Sequence, residues 1–147
     1  MINICLVGFG RLGFRYLQAI SKLTLKINLY IVDKNTKRFK KLNEIKNSIN
    51  KDLKVSFSKN FKKIPKKIDL IIVSTTCDGR SKLISKINKE LKFKNIILEG
   101  NEGYKKAQSF MKTMMPSSVK KVKKYRGKIP LFIQENIEQK LNQIFDS

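Results

Sequence analysis

The most constraining feature of the sequence is a spaced set of glycines near the amino terminus. An apolar run at residues 4–7 leads into this set, and a helix-like spacing of apolar residues follows it. The set itself reads Gly8-Phe9-Gly10-Arg11-Leu12-Gly13. Three glycines at this spacing between a strand and a helix are typical of a loop that holds the pyrophosphate of a dinucleotide. Free N–H groups at the start of the helix would face the phosphates.

An acidic residue follows at the distance that such a loop requires. Residues 25–32 predict a second strand, which delivers Asp33 about 20 residues beyond the last glycine, where a ribose-binding acid is expected. The alternative is that Asp33 only caps the next helix, since Asp-Lys-Asn-Thr is also a good helix start. A carboxylate here repels a 2′-phosphate and favours NAD. Lys34, Lys37 and Arg38 are close enough in sequence to accept that phosphate from NADP instead.

Strands and helices are predicted to alternate up to residue 99. The predicted strands lie at residues 2–7, 25–32, 55–57, 68–73 and 95–98, and the predicted helices at residues 11–22, 36–49 and 81–91. This order predicts an α/β fold, a Rossmann doubly wound parallel sheet, over residues 1–99.

The remaining residues, 100–147, are expected to form a C-terminal extension rather than a full substrate domain. Within it we predict a helix at 104–115, a basic segment at 117–128, a strand at 129–132 and an amphipathic helix at 135–145. The apolar face of the last helix is expected to cover the sheet, and the alternative is that it binds a partner.

Composition narrows the functional classes. The chain has 147 residues and a net charge of +22, but its lysines are spread over nearly every element and do not alternate with aromatic residues. Nucleic acid is therefore not the expected partner. Two cysteines and no histidine predict reduced thiols and no metal site. No long apolar segment predicts membrane insertion, so a cytoplasmic protein is expected, with homo-oligomerisation left open.

Several segments together resemble the Gfo/Idh/MocA oxidoreductases. The glycine loop is followed by Arg15-Tyr16-Leu17, where that family typically has Arg-His and a leucine. Residues 73–84 are similar to its Ala-Thr-Pro-Asn-x-x-His segment, with Thr76, Cys77 and Arg80 at the last three named positions. Residues 97–99 resemble the start of its Glu-Lys-Pro motif. The resemblance covers residues 1–99 and implies an NAD(P)-binding domain that serves hydride transfer to or from a sugar or polyol.

The resemblance also implies a set of cofactor contacts. The glycine loop would enclose the pyrophosphate, the acid after the second strand would hold the adenosine ribose, and the two threonines would lie near the nicotinamide ribose. Glu99, after the fifth predicted strand, would lie beside the nicotinamide. In chain order these residues are Gly8, Phe9, Gly10, Arg11, Leu12, Gly13, Asp33, Thr75, Thr76 and Glu99.

No catalytic residue can be assigned. Gly100 stands where the family has the lysine that acts on the substrate oxygen, and Asn101 replaces the proline. Glycine cannot do acid–base work. Three interpretations remain. The chain is a cofactor domain of an oxidoreductase, shortened and inactive alone; a dinucleotide-sensing regulatory module like those of potassium transport systems; or a basic interaction protein.

Overall fold

The structure is a computed structural model. It describes residues 1–45, 49–75, 80–99, 121–125, 141–142 and 144–145. The strands are β1 (Ile2–Val7), β2 (Ile27–Val32), β3 (Leu53–Ser58), β4 (Lys67–Val73), β5 (Lys92–Glu99) and β6 (Lys121–Tyr125). They form one six-stranded sheet in the order β3-β2-β1-β4-β5-β6, and all the pairings are parallel.

Two α-helices and one 3-10 helix connect these strands. Helix α1 (Arg11–Ser21) joins β1 to β2, the 3-10 helix (Thr36–Glu44) follows β2, and α2 (Arg80–Glu90) joins β4 to β5. The chain starts at the central strand β1, winds outward through β2 and β3, and then crosses to β4 on the other side. The predicted doubly wound parallel α/β fold is therefore confirmed, and it is Rossmann-like.

The 3-10 helix differs from the α-helix predicted over residues 36–49. Its turns close between residues three apart, as in the Arg38 N–H bond to the Asn35 carbonyl at 3.2 Å. Four of the six residues that follow Asn35 are basic, namely Lys37, Arg38, Lys40 and Lys41, which places like charges three and four residues apart. Such pairs destabilise an α-helix. None of its side chains is fully buried, so packing does not offset the repulsion.

The apolar residues divide into a core on each face of the sheet. One core joins Leu6, Leu29 and Leu70 to the buried side of α1, including Leu17. The other joins Val7, Ile71 and Leu98 to the buried residues of α2, including Ile84 and Ile87. Strands covered on both faces need apolar side chains in both directions, which explains the uninterrupted apolar runs in β1, β4 and β5.

The carboxyl-terminal part contributes to the same sheet and core. Strand β6 pairs with β5 and lies within the segment that was predicted only as a basic stretch. Leu141, in the predicted final helix, is fully buried in the core beside α1, and Ile144 and Phe145 pack against it. The predicted helix at 104–115 and strand at 129–132 lie outside the described residues. Among the described helices, none is both long enough and apolar enough to cross a bilayer.

Candidate functional site at the carboxyl ends of the strands

The glycine loop leaves β1 at the point where the winding of the sheet reverses. Neighbouring strands β2 and β4 lead away from β1 on opposite sides, and ligands of open α/β sheets bind outside the carboxyl ends of the strands at such a point. Gly8 has a φ of 94°, a conformation that favours glycine. Its N–H donates to the Val32 carbonyl at 2.8 Å. A Cβ at Gly8 would lie 2.9 Å from the Thr75 methyl carbon, so this turn has no room for a side chain.

The third glycine allows α1 to pack directly on this turn. A Cβ at Gly13 would lie 2.2 Å from the Gly8 carbonyl oxygen, whereas a Cβ at Gly10 would meet its nearest heavy atom, Nη1 of Arg38, at 3.6 Å. Gly10 is the N-cap residue of α1, and no side chain there accepts a hydrogen bond from the first turn. The first N–H groups of an α-helix have no acceptor within the helix. The first backbone N–H groups of α1 therefore have no side-chain acceptor on the N-cap residue.

Asp33 connects the end of β2 to this loop. Its Oδ2 accepts the Phe9 N–H at 2.7 Å and lies 3.2 Å from Nη1 of Arg38. Its Oδ1 accepts the Asn35 N–H at 2.8 Å, while the Asn35 side chain accepts the Lys37 N–H that starts the 3-10 helix. The side chain of Asn35, not of Asp33, therefore caps the helix. Arg38 was singled out in the sequence as a phosphate ligand, and its ion pair with Asp33 was not foreseen.

The residues after β4 close the other side of the loop. The Ser74 hydroxyl donates to the Gly8 carbonyl at 2.7 Å, with the Val7 carbonyl oxygen 3.1 Å away. Thr75 lies against Gly8, so both residues are adjacent to the glycine turn. Thr76 lies outside the described residues. Ser74 was not among the predicted site residues, although its place directly after a buried strand is the signal that could have identified it.

The side chains of the loop itself face in different directions. Phe9 is fully buried, and its ring centroid lies 6.1 Å from that of Phe14 and 6.0 Å from that of Phe57. Phe9 therefore presents no exposed surface to a ligand, because its ring lies in the core and its N–H already donates to Asp33. Leu12 packs against the core, while Arg11 is exposed at the start of α1. Of these three predicted contacts, only Arg11 has a side chain that faces solvent.

Glu99, at the end of β5, is a buried carboxylate with a defined partner. Its side chain is 3% exposed, and its Oε1 accepts a hydrogen bond from the hydroxyl of Tyr16 on α1. Tyr16 is equally buried, and no sequence pattern indicates this pair, because its members are 83 residues apart. The buried carboxylate thus lies at the same edge of the sheet as the glycine loop and links β5 to the helix that follows the loop.

In the part of the chain that the structure describes, neither a metal-binding group nor a reactive thiol lies at this site. Among the described residues, no group of histidine, cysteine, aspartate and glutamate side chains could hold a metal ion. Cys5 is a free, fully buried thiol in β1. Burial raises the pKa of Cys5 from its ordinary 9.0 to about 12, because the thiolate would lose its hydration there. The thiol stays protonated at neutral pH and is not a nucleophile.

A second surface lies where α2 meets the beginning of β5. A groove of about 570 Å3 is lined by four exposed lysines, with Phe61, Ile64 and Leu91 at its base. A hollow of about 420 Å3 along α2 continues from it through a shared lysine. We call the whole the lysine surface; its lysines are Lys62, Lys66, Lys82, Lys86, Lys89 and Lys92. Glu90 is the one acidic residue among those that line the two cavities.

Solved structures share the fold of this chain at low sequence identity. An oxidoreductase from Bacillus cereus is 16% identical with a TM-score of 0.57, over 85% of this chain and 35% of that one. Scyllo-inositol dehydrogenase from Lactobacillus casei, solved with NAD(H) and scyllo-inositol, is 15% identical with a TM-score of 0.57, over 99% of this chain and 41% of that one. Myo-inositol dehydrogenase from Lactobacillus casei, solved with NAD(H) and myo-inositol, is 14% identical with a TM-score of 0.57, over 83% and 36%. The chain thus spans well under half of these solved chains, and the likeness shows the fold.

The sequence comparisons identify a different family from the one that the motifs resembled. No curated protein sequence matches the chain. The family model for the ribonuclease E/G family matches residues 36–147. The predicted membership of the Gfo/Idh/MocA oxidoreductases is therefore wrong. That prediction rested on the glycine loop with Arg15-Tyr16-Leu17 and on short similarities at residues 73–84 and 97–99. A glycine loop is a general device of the Rossmann fold, and short similarities beside it do not identify a family. The matched segment begins after the glycine loop and includes most of the chain: the chain belongs to the ribonuclease E/G family.

Proposed function

We propose that the carboxyl edge of the sheet binds a dinucleotide, NAD(H) or NADP(H). The observation that carries this proposal is the close approach of Gly13 to the Gly8 carbonyl, because it sets the N–H groups at the start of α1 against a turn that has no side chain. Asp33, fixed to the loop through the Phe9 N–H, lies where the adenosine ribose would be. Backbone N–H groups and a helix dipole would then hold the pyrophosphate.

Residues 1–99 would be the cofactor-binding part, and hydride transfer involving a sugar or polyol is the reaction that such a part would serve. The inositol dehydrogenases solved with NAD(H) and inositol, which share the fold, support this class of substrate. In the described residues, the buried Glu99 carboxylate is bonded to Tyr16. Acid–base groups for hydride transfer would therefore come from outside the described residues.

Calorimetric titration of the purified chain with NADH and NADPH tests the proposal. We expect saturable binding of at least one of them, and a loss of affinity of about tenfold in Asp33→Ala, the size expected when a charge-assisted hydrogen bond is removed. Lys54→Ala, an exposed substitution in β3, should leave the affinity unchanged. If neither dinucleotide binds the folded protein, the proposal is wrong.

RNA binding by the lysine surface is a second candidate function. The family match covers residues 36–147, which contain every residue of this surface and exclude the glycine loop. Lys82, Lys86 and Lys89 follow one another along one side of α2, as the contacts of a phosphate backbone require. This arrangement would bind the backbone without reading base sequence, because lysines on phosphates carry no sequence information.

Salt dependence separates the two candidates. Binding of single-stranded RNA should weaken steeply between 50 and 200 mM salt, as expected when several phosphates are neutralised. Replacing Lys82, Lys86 and Lys89 by alanine should lower the affinity and flatten the salt slope. A control with Lys26, Lys51 and Lys54 replaced removes the same charge elsewhere. Equal losses in the two triple variants would show that only net charge matters, and the lysine surface would not be a site.

A further inference from the structure

We propose that the dinucleotide site recognises a 2′-phosphate on the adenosine ribose, and that Arg38 is the residue that selects NADP(H) over NAD(H). This inference rests on the proposed dinucleotide site. It reverses the preference for NAD that the Asp33 carboxylate alone would suggest.

Most of the hydrogen-bond acceptor positions of the Asp33 carboxylate are already occupied. A carboxylate offers about four acceptor positions. The Phe9 N–H and Nη1 of Arg38 take two of them on Oδ2, at 2.7 and 3.2 Å. The Asn35 N–H takes one on Oδ1, at 2.8 Å. A ribose diol needs two acceptors, and the neighbours of Asp33 leave about one. The carboxylate therefore orients the loop and Arg38 instead of receiving both hydroxyls of the ribose.

The Arg38 guanidinium lies close to the glycine loop. Its Nη1 is the nearest heavy atom to a Cβ built at Gly10, at 3.6 Å, so the group lies over the glycine loop. The Arg38 side chain is 46% exposed, while that of Asp33 is 8% exposed. The arginine therefore covers Asp33, and the positively charged guanidinium forms the exposed surface of the ion pair. A planar fork of N–H donors in this place suits the oxygens of a phosphate better than a neutral diol.

The segment that follows Asp33 carries an excess of positive charge. Lys34 and Lys37 are exposed on the same short segment, which therefore carries three positive side chains and one largely covered carboxylate. An anion at this corner is attracted over a short distance with little repulsion from Asp33. A 2′-phosphate supplies the anion, and a free ribose hydroxyl supplies no charge.

Titration with matched ligand pairs tests the inference. NADPH should bind at least tenfold more tightly than NADH, and 2′,5′-ADP more tightly than 5′-AMP, because each pair differs by the 2′-phosphate alone. Arg38→Gln should lower the NADPH affinity by about 10- to 100-fold, as expected for a charge-assisted contact to phosphate. The same variant should change the NADH affinity by less than about threefold. Lys54→Ala removes one exposed positive charge from β3 and should leave all four affinities unchanged.

The outcomes distinguish this inference from the proposed function. If NADH binds as tightly as NADPH, or if Arg38→Gln weakens both to the same extent, the selection by Arg38 is overturned while dinucleotide binding stands. If neither dinucleotide binds the wild-type protein, the proposed function fails and the inference fails with it. An unchanged urea midpoint in Arg38→Gln verifies that any loss of affinity reflects the ligand contact and not unfolding.

Discussion

The carboxyl edge of the sheet and the lysine surface are built in opposite ways. At the carboxyl edge, backbone groups approach so closely that a Cβ at Gly13 would lie 2.2 Å from the Gly8 carbonyl, and Glu99 is buried against Tyr16. The lysine surface has exposed lysines on a hollow of apolar side chains. The first site depends on exact positions of buried groups, whereas the second depends on charge density in solvent.

This difference predicts how each region responds to substitution. Buried, closely packed groups have no alternative arrangement, so a single added atom or lost hydroxyl has a large effect. Exposed lysines are interchangeable, and each contributes little to folding. The expected effects on folding therefore range from the largest, in the packed glycine turn, to the smallest, on the lysine surface.

Gly13→Ala should have the largest effect. The new Cβ would clash with the Gly8 carbonyl and displace α1 from the turn, which we expect to cost about 3 kcal/mol of the free energy of unfolding and to abolish dinucleotide binding. Gly10→Ala is the matched control, since its Cβ would meet the nearest heavy atom at 3.6 Å, an ordinary contact distance. Urea unfolding of both variants measures the contrast, and NADPH titration measures the loss of binding in Gly13→Ala. Equal losses in the free energy of unfolding at Gly10 and Gly13 would contradict the close approach.

Tyr16→Phe should have the next largest effect. Removing the hydroxyl takes a hydrogen bond from the buried Glu99 carboxylate, so we expect a loss of about 1–3 kcal/mol in the free energy of unfolding. Tyr30→Phe, at a half-buried position in β2, should lower the free energy of unfolding by less than Tyr16→Phe does. The double variant with Glu99→Gln should be less destabilised than the sum of the two single variants, because both changes act on one contact. Strict additivity would show that the pair is not coupled.

The pH dependence of stability should distinguish the buried sheet from the lysines at its surface. Because the pKa of Cys5 is raised from 9.0 to about 12 in the folded state, the unfolded chain loses this proton first as the pH rises. The contribution of Cys5 to stability is complete below about pH 9 and falls as the pH rises towards 12. Cys5→Ala retains every lysine, so its unfolding midpoint should decline less between pH 8 and pH 10.5. If the unfolding midpoint declined equally in the wild type and in Cys5→Ala, burial of the Cys5 thiol would not contribute to the pH dependence.

Lys89→Ala should have the smallest effect on folding. Lys89 is exposed where the groove and the hollow of the lysine surface meet, and its loss should change the free energy of unfolding by less than about 0.5 kcal/mol. Its effect on RNA affinity should be larger than its effect on stability, measured by titration at 50 mM salt and by urea unfolding. A loss above 1 kcal/mol in folding would show that this lysine is part of the core packing and not of a charged surface.

The sequence predicted the regular part of the fold because local patterns determine it. β1 was predicted at its observed bounds, since an apolar run buried on both faces ends at a glycine turn that only one kind of residue can make. β6 was missed because its lysines hide the strand pattern. Lysine is common on edge strands, where it discourages pairing with other chains, and β6 is the last strand in the sheet order.

The contacts of the site could be predicted only in part. The positions of Gly8, Gly13 and Asp33 follow from spacing, and the structure brings them together through the Phe9 N–H. The Tyr16–Glu99 pair joins α1 to the end of β5 across 83 residues of sequence, which no local pattern reveals. The family assignment failed for a related reason: features that the fold itself requires cannot distinguish one family from another.

The order of the strands has a consequence for synthesis of the protein on the ribosome. β1 leaves the ribosome first but occupies an interior position, between β2 and β4. The Asn3 N–H bonds to Asp69, 66 residues further along the chain, so β1 cannot complete its pairing until β4 has been made. Until then one side of an apolar strand is open, and chaperones or other nascent chains can bind it.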